Sequence, residues 1–409
     1  MAVLTTMSKR SGPAIGFIFT TLIIDVTGLG IIIPVMPKLI TTLTGETLSE
    51  AARISGYMLF AFAVMQFLSA PVLGNLSDRF GRRPVLLTSL FGFGLDYILM
   101  ALAPTVTWLF VGRIIAGVCG ASITTAMAYI ADISSAEKKA QNFGMVGAAF
   151  GIGFILGPVI GGVLGEYGPR VPFYAAAALA LLNWLYGYFI LPESLPQDKR
   201  RKFDWKRANP LGSLVQLRKS PVVAKLATSM FFVYIAAHAV QSNWAFFTIY
   251  KFEWSESMVG YSLGMAGLLV GLVQGLLIRV INPRLGNEWS VYIGMVLYAI
   301  GLGLFATASE GWMMFVFLIP YCLGGITGPA LQSIMSNRVP DNEQGELQGG
   351  LASLISVTSV IGPPLMTGLF SYFTSPRTPV HFAGIPFAVA SFLTMVSLAF
   401  AVRAIRGSK

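Results

Sequence analysis

"TLIIDVTGLGIIIPVMPKL", residues 21–39, is long and apolar enough to cross a bilayer, yet Asp25 stands inside it. A hydrocarbon core about 30 Å thick takes about 20 helical residues. An ionisable side chain at that depth is expensive, and by default it marks a functional site. The stretch therefore bears on two questions: the class of fold, and the reason for a carboxylate where water is scarce.

The rest of the chain repeats its pattern. Of 409 residues, 55% are hydrophobic and 11% charged, against about 25% charged in soluble domains. Soluble domains built from this sequence would have poor surfaces. Twelve apolar stretches lie near 14–36, 54–73, 84–103, 107–129, 143–165, 171–191, 221–247, 257–280, 289–307, 312–336, 348–373 and 380–403. They lack the roughly ten-residue alternation of an outer-membrane barrel. The expected fold class is an all-α polytopic membrane protein with twelve transmembrane helices. "MAVLTTMSKRSGP" (1–13) is polar and basic, and no small-residue cleavage site follows the first apolar run, which is expected to be the first span. Cys119 and Cys322 fall within spans and read as packing residues.

The net charge of +10 is a matter of topology, not of nucleic acid. With twelve spans, 22 of the 28 Lys and Arg fall on the side of the N-terminus. Five fall on the other side (Lys38, Arg53, Arg170, Lys251, Arg377), and Arg113 is inside a span. The positive-inside rule places both termini in the cytoplasm. "QDKRRKFDWKR" (197–207) reads as a basic cytoplasmic linker able to touch anionic headgroups.

That linker, 192–220, separates an N-terminal six-helix bundle (1–191) from a C-terminal one (221–409). "DRFG" (78–81) and "PRLG" (283–286), Gly120 and Gly325, and "GP" at 157–158 and 362–363 are each offset by 205 residues. A constant offset at three landmarks indicates a repeat. Transporters are commonly built this way, with the substrate near the midplane between repeats.

Three motifs carry chemistry. "GNLSDRFGRRPVLL" (74–87) supplies Gly74 and Gly81 for a turn and close helix approach. Asp78 can pair with a basic group or a helix N-terminus, Arg79, Arg82 and Arg83 hold the loop in the cytoplasm, and Pro84 opens the next helix. "GRIIAGVCGA" (112–121) places Arg113 within a span. Its partner must be acidic: depth favours Asp96, but Asp25 is also central, and the sequence leaves the choice open. "GIGFILGPVIGG" (151–162) combines the close-packing glycines Gly157, Gly161 and Gly162 with the helix-bending Pro158.

These residues resemble the major facilitator superfamily. The first motif matches G-x-L-x-D-R-x-G-R-[RK] at each defining position. The second is similar to the R-x-x-x-G-x-x-x-A element of proton-coupled members, and the third to the G-x-x-x-G-P-x-x-G-G element of antiporters. More narrowly, "MQFLSAPVLGNLSDRFGRRPVLL" (65–87), "DYILMALAP" (96–104), "AYIADI" (128–133) and residues 328–363 resemble drug:proton antiporters of the tetracycline-efflux branch. The resemblance implies two pseudo-symmetric six-helix bundles and a bacterial inner-membrane location. It also implies a monomer and a gating latch at Asp78 and Arg79, and it sets Arg113 beside span one. Two positions depart from the branch. Its aspartate in span nine is matched by Tyr298, and its histidine in span eight by Val270, which weakens a metal–tetracycline complex as substrate.

The mechanism expected is competition. Desolvation disfavours an ionised carboxylate and a nearby arginine favours it. A carboxyl poised between the two can gain a proton on one side of the membrane and lose it on the other. A proton and a cationic or polar drug competing for Asp25 or Asp96, beside Arg113, give antiport. Gln66, His238, Gln241, Asn243, Gln274, Tyr298 and Gln332 are further cavity candidates, with His238 read as a packing or outer-mouth residue. Trp244 and Phe246 suit an amphiphile pocket or an interfacial belt, and Phe247 is assigned to the belt. Asp132 reads as a cytoplasmic-mouth or helix-packing residue, Glu166 and Glu253 as loop charges. The expected partners are protons, a small-molecule substrate and the lipid bilayer. No cofactor, metal or nucleic acid is expected. The alternatives are an importer or uniporter on the same fold, a membrane-embedded enzyme, and a receptor that has lost transport. The chain has no H-E-x-x-H or phosphate-loop motif.

Overall fold

The computed structural model describes residues 2–135, 138–203, 217, 220–340 and 343–407. Among these residues the regular structure is helical, without a strand. In chain order the helices are α1 (Ala2–Ile31), α2 (Met36–Thr44), α3 (Leu48–Phe80), α4 (Arg82–Leu102), α5 (Val106–Gly120), α6 (Ser122–Ile133), α7 (Lys139–Gly165) and α8 (Val171–Ile190). They continue as α9 (Pro221–Phe252), α10 (Glu256–Leu272), α11 (Ile278–Thr307), α12 (Gly311–Leu323), α13 (Thr327–Ser336), α14 (Gln344–Thr374) and α15 (Ile385–Arg406).

Ten of the described helical runs are long and apolar enough to cross a membrane. An eleventh is the pair Gly16–Ile31 and Met36–Thr44, bent by 46°. The bend has a local cause: Pro34 cannot continue the backbone ladder, and the residue before it is driven from helical geometry. Ten or eleven spans therefore stand against the twelve expected, and one run, Glu256–Thr307, is 52 residues long, over twice the roughly 20 residues that one span takes. That run is interrupted at Gly286, whose φ of 75° and ψ of 164° are non-helical. A π turn, Val273–Leu277, lies between α10 and α11.

By packing, the chain divides into two compact units. The first is Met1–Leu39 with Ala61–Pro210, the second Ile40–Phe60 with Leu211–Lys409. The segment 40–60 therefore packs with the second unit, held there by Ser49 Oγ to Thr374 Oγ1 at 2.7 Å. Of the linker expected over 192–220, residues 204–216 and 218–219 lie outside the described residues.

Each unit is built on the same three seams. In the first, α1 packs on α7 and α8, and α4 packs on α8. In the second, α9 packs on α14 and α15, and α11 packs on α15. The repeat in the sequence is thus a repeat of helix pairings. Phe17, Ile18, Leu22, Leu90, Tyr129 and Ala149 fill the first core; Leu226, Met230, Met295, Leu331, Met335 and Leu351 belong to the second. Large apolar side chains such as Leu182, Phe189, Trp312 and Phe392 are exposed, as lipid-facing helix surfaces require.

Candidate functional site

The α1–α7 seam fixes where Asp25 points. A Cβ on Gly161 would sit 1.9 Å from the Ile31 carbonyl oxygen, and one on Gly157 2.6 Å from that of Thr27. A Cβ on Gly153 would be 2.7 Å from Val26. Only glycines let the two backbones meet this closely. Gly162 is buried beside them and Pro158 packs on Gly30. The glycine-proline motif is therefore the bearing on which α1 lies.

With α1 seated, Asp25 faces a cleft in the first unit, lined by Leu22, Leu29, Phe62, Phe93, Phe150 and Gln66, and by Gly120 and Ser122 where span four breaks. Asp25 is half-buried. Among the described residues it has no basic side chain within salt-bridge distance.

Asp96 is placed differently. Its Oδ2 accepts from Arg113 Nη2 at 3.1 Å, with both side chains almost fully buried. A Cβ on Gly112 would lie 2.6 Å from Asp96 Oδ1, so the glycine makes room for the pair. Asp96 Oδ1 and Arg113 Nε have no hydrogen-bond partner, which makes this a single-bonded pair. The two candidates for Arg113's partner are thereby separated: Arg113 compensates Asp96 and leaves Asp25 without a counter-ion. Next to Asp96, Tyr97 turns the other way. Its hydroxyl lies 2.8 Å from the position a Cβ on Gly28 would take, so it packs on α1 one turn from Asp25. Sequence reading passed over Tyr97, because a tyrosine inside an apolar run carries no distinguishing spacing.

The α3–α4 loop forms a second centre. Gly81 has φ 105°, a left-handed backbone open to glycine. Asp78 pairs with Arg82 at 2.6 Å and Arg82 with Asp132 at 3.2 Å, and Arg82 Nη1 also donates to Ser77 Oγ at 2.6 Å. Arg82 is buried, not a free basic charge, and it is Asp78's partner; Arg79 instead lies over the Phe80 ring. Gly74 is inside α3 with nothing within 4 Å of a Cβ position, so it makes neither turn nor close contact. Asp132, read from the sequence as a cytoplasmic-mouth or helix-packing residue, is a member of this ion-pair cluster. Glu193, which sequence reading missed, accepts from the N–H groups of Arg82 (2.8 Å) and Arg83 (3.2 Å), at the start of α4. It also faces Arg200 at 3.9 Å, and Arg201 N donates to the Asp78 carbonyl at 3.0 Å. An acid just after the sixth span, beside an arginine-rich loop, was the available signal.

The remaining candidates lie in the second unit. His238 is buried, its Nδ1 without a partner, and packs against Gly362. Asn243 donates to Ala239 O and Ser242 Oγ. Both are helix-packing residues. Gln241 is exposed, and Gln332 donates to Gln348 at 2.7 Å. Tyr298 stacks on Tyr321 with ring centroids 4.9 Å apart. Gln274 is exposed beside Gly325. The belt assignment for Phe247 is wrong: it is 0% exposed and packs edge-on to Phe387, while Trp244 is buried and donates to Ser262 at 2.8 Å. These side chains are core because neighbouring helices enclose them: Phe387 of α15 lies against Phe247, and Phe305 of α11 and Ser262 of α10 against Trp244. No group of three or more His, Cys, Asp or Glu that could hold a metal occurs among the described residues.

Known proteins resemble this chain over most of its length. The chain is 41% identical over 362 residues to the class C tetracycline resistance protein of Escherichia coli, covering 88% of this chain and 91% of that one. It is 36% identical over 370 residues to the class B protein of Escherichia coli, covering 89% of each. It is 30% identical over 376 residues to multidrug resistance protein 2 of Bacillus subtilis (strain 168), covering 90% and 91%. In fold it is similar to the human organic anion transporter MFSD10, with a TM-score of 0.71 at 22% identity over 96% of this chain and 99% of that one. It is also similar to a bacterial homolog of the human lysosomal transporter Spinster, with a TM-score of 0.74 at 16% identity over 98% and 97%. The helices and these relatives describe a multi-pass protein of a bacterial inner membrane. Residues 18–285 and 226–407 match the Major Facilitator Superfamily, and the chain belongs to that family of transporters.

Proposed function

We propose that the protein exports small amphiphilic organic compounds, drug-like or tetracycline-like, in exchange for protons, by alternating access of its two repeats (1–191 and 221–409, joined by 192–220). Both termini are cytoplasmic in this reading, and the working unit is a monomer. The observation that carries it is the contrast between two acids: Asp96 is compensated by Arg113, whereas Asp25 faces an aromatic cleft without a counter-ion. An uncompensated carboxylate in an apolar cleft is neutralised either by a proton or by a polar or cationic substrate group. The two compete for one site, and exchange follows. Asp25 is the coupling acid, Asp96 and Arg113 are its support, and the Asp78–Arg82–Asp132 cluster is the gate.

The test is proton flux in proteoliposomes carrying a pH-sensitive dye, under an imposed proton gradient, with tetracycline and a panel of cationic and neutral amphiphiles. Compound-driven flux in the wild type that disappears in Asp25→Asn is the expected result. Uptake of a metabolite along with protons would make the protein an importer instead. An Asp25→Asn, Asp96→Asn double variant that kept full proton-driven transport would end the coupling argument.

A further inference from the structure

The Asp25 cleft contains a fault in the backbone. Span four is split between α5 and α6 at Ala121. Ala121 N donates to Val118 O and Thr124 N to Ala121 O, both at 3.3 Å. These are i→i−3 bonds, the tighter pattern of a 3₁₀ turn. An unbroken α-helix would direct Thr124 N to Gly120 O. Gly120 O receives Gln66 Nε2 instead, at 3.3 Å, from α3. The absence of a side chain matters here, since a Cβ on Gly120 would stand 3.1 Å from Nε2. Gln66 and Gly120 both line the cleft that holds Asp25.

The second unit repeats the arrangement in outline. The 3₁₀ turn Gly324–Ile326 splits α12 from α13, around the glycine that matches Gly120 at the 205-residue offset. Gln274, inside the π turn, lies with Nε2 3.6 Å from the position a Cβ on Gly325 would take. In each unit a glutamine amide faces the glycine of a broken span.

We propose that Gln66 is a positioning residue of the transport cycle: its amide holds the break in span four at the wall of the Asp25 cleft by binding the Gly120 carbonyl. The proposal rests on the antiport reading of that cleft. A carbonyl left without a donor in apolar surroundings loses about 1–3 kcal/mol. With Gln66 present the broken geometry is satisfied, and α5 and α6 keep their angle beside Asp25. Without it the break is driven toward regular helix or takes up water. Irregular backbone at membrane depth is tolerated where it lines such a cavity.

The experiment uses the full chain in liposomes with tetracycline and ethidium as probes. Gln66→Leu is expected to lower kcat about fivefold, as loss of one neutral hydrogen bond would, with KM within about twofold of wild type. Gln66→Glu tests the donor itself. A protonated carboxyl can give its O–H to Gly120 O and an ionised one cannot. Transport relative to wild type is therefore expected to be low at about pH 8 and to recover as the pH falls toward about 4. Wild-type kcat in Gln66→Leu, a rise in KM alone, or a Gln66→Glu profile parallel to wild type overturns the proposal. A readout independent of transport separates it from the antiport reading: amide hydrogen exchange over 117–124 should quicken in Gln66→Leu and stay unchanged in the first core. If the wild type moves neither probe, the antiport reading fails on those probes, and unchanged exchange at 117–124 overturns the positioning role by itself.

Discussion

Arg113 reaches Asp96 through a single hydrogen bond of 3.1 Å, in a site where both side chains are almost fully buried. Breaking a buried pair from one side strands a charge and costs about 3–5 kcal/mol, whereas apolar replacement of both partners is often neutral or better. Asp96→Leu and Arg113→Leu are each expected to lower the thermal unfolding temperature of the purified protein strongly. The double variant should recover much of the loss. Additive losses would show that the two side chains are not coupled.

Asp25→Asn is expected to behave in the opposite way. Asp25 has no ion pair to lose, and asparagine is nearly its shape, so unfolding temperature should stay near wild type. Proton-driven flux should disappear. Size-exclusion profiles and melting curves, taken beside the dye assay, decide the matter. A variant that melts far below wild type would make Asp25 a structural residue rather than the coupling acid.

How far these sites were legible in the sequence follows from the range of the forces involved. The apolar runs and the 205-residue offset are local patterns, and they foretold helices and repeat. The glycine motif at 151–162 was legible as a packing element because small residues at helical spacing leave little else to do. The choice between Asp25 and Asp96 was not legible. Depth favours Asp96 and the family resemblance favours span one; the rotation of α4 against α5, set by contacts around Gly112 and Met100, decides which carboxylate Arg113 meets. Glu193 and Tyr97 were missed for a related reason, since their partners are 111 residues away in one case and on α1 in the other. Phe247 was misassigned because an aromatic near a span end reads alike whether it faces a headgroup or a neighbouring helix.

The α1–α7 seam gives a paired test on one helix. Gly161→Ala would place a methyl 1.9 Å from the Ile31 carbonyl oxygen, whereas Gly144 has nothing within 4 Å of its Cβ position. Overpacking of this kind costs about 1–3 kcal/mol or more. Alanine at an open helical position adds about 0.5–1 kcal/mol of stability. Melting of Gly161→Ala should drop, and that of Gly144→Ala should hold or rise slightly. If the two variants melted alike, the seam would not be the bearing that seats Asp25.

Glu193 joins the start of α4 to the segment after α8. Its carboxylate accepts from the backbone of Arg82 and Arg83 and from the N–H groups of Ser194 and Leu195, the last two at 3.0 Å. Truncation removes an anion from a helix N-terminus, a loss of about 0.5–2 kcal/mol. Glu193→Ala should therefore melt slightly lower but be cleaved by trypsin at Arg200 and Arg201 much faster, because the acid facing Arg200 at 3.9 Å is gone. Glu193→Gln retains one carbonyl acceptor and should fall between the two in both readouts. Equal cleavage rates in wild type and Glu193→Ala would mean that Tyr129, which donates to the Pro192 carbonyl at 2.9 Å, holds the segment without help from Glu193.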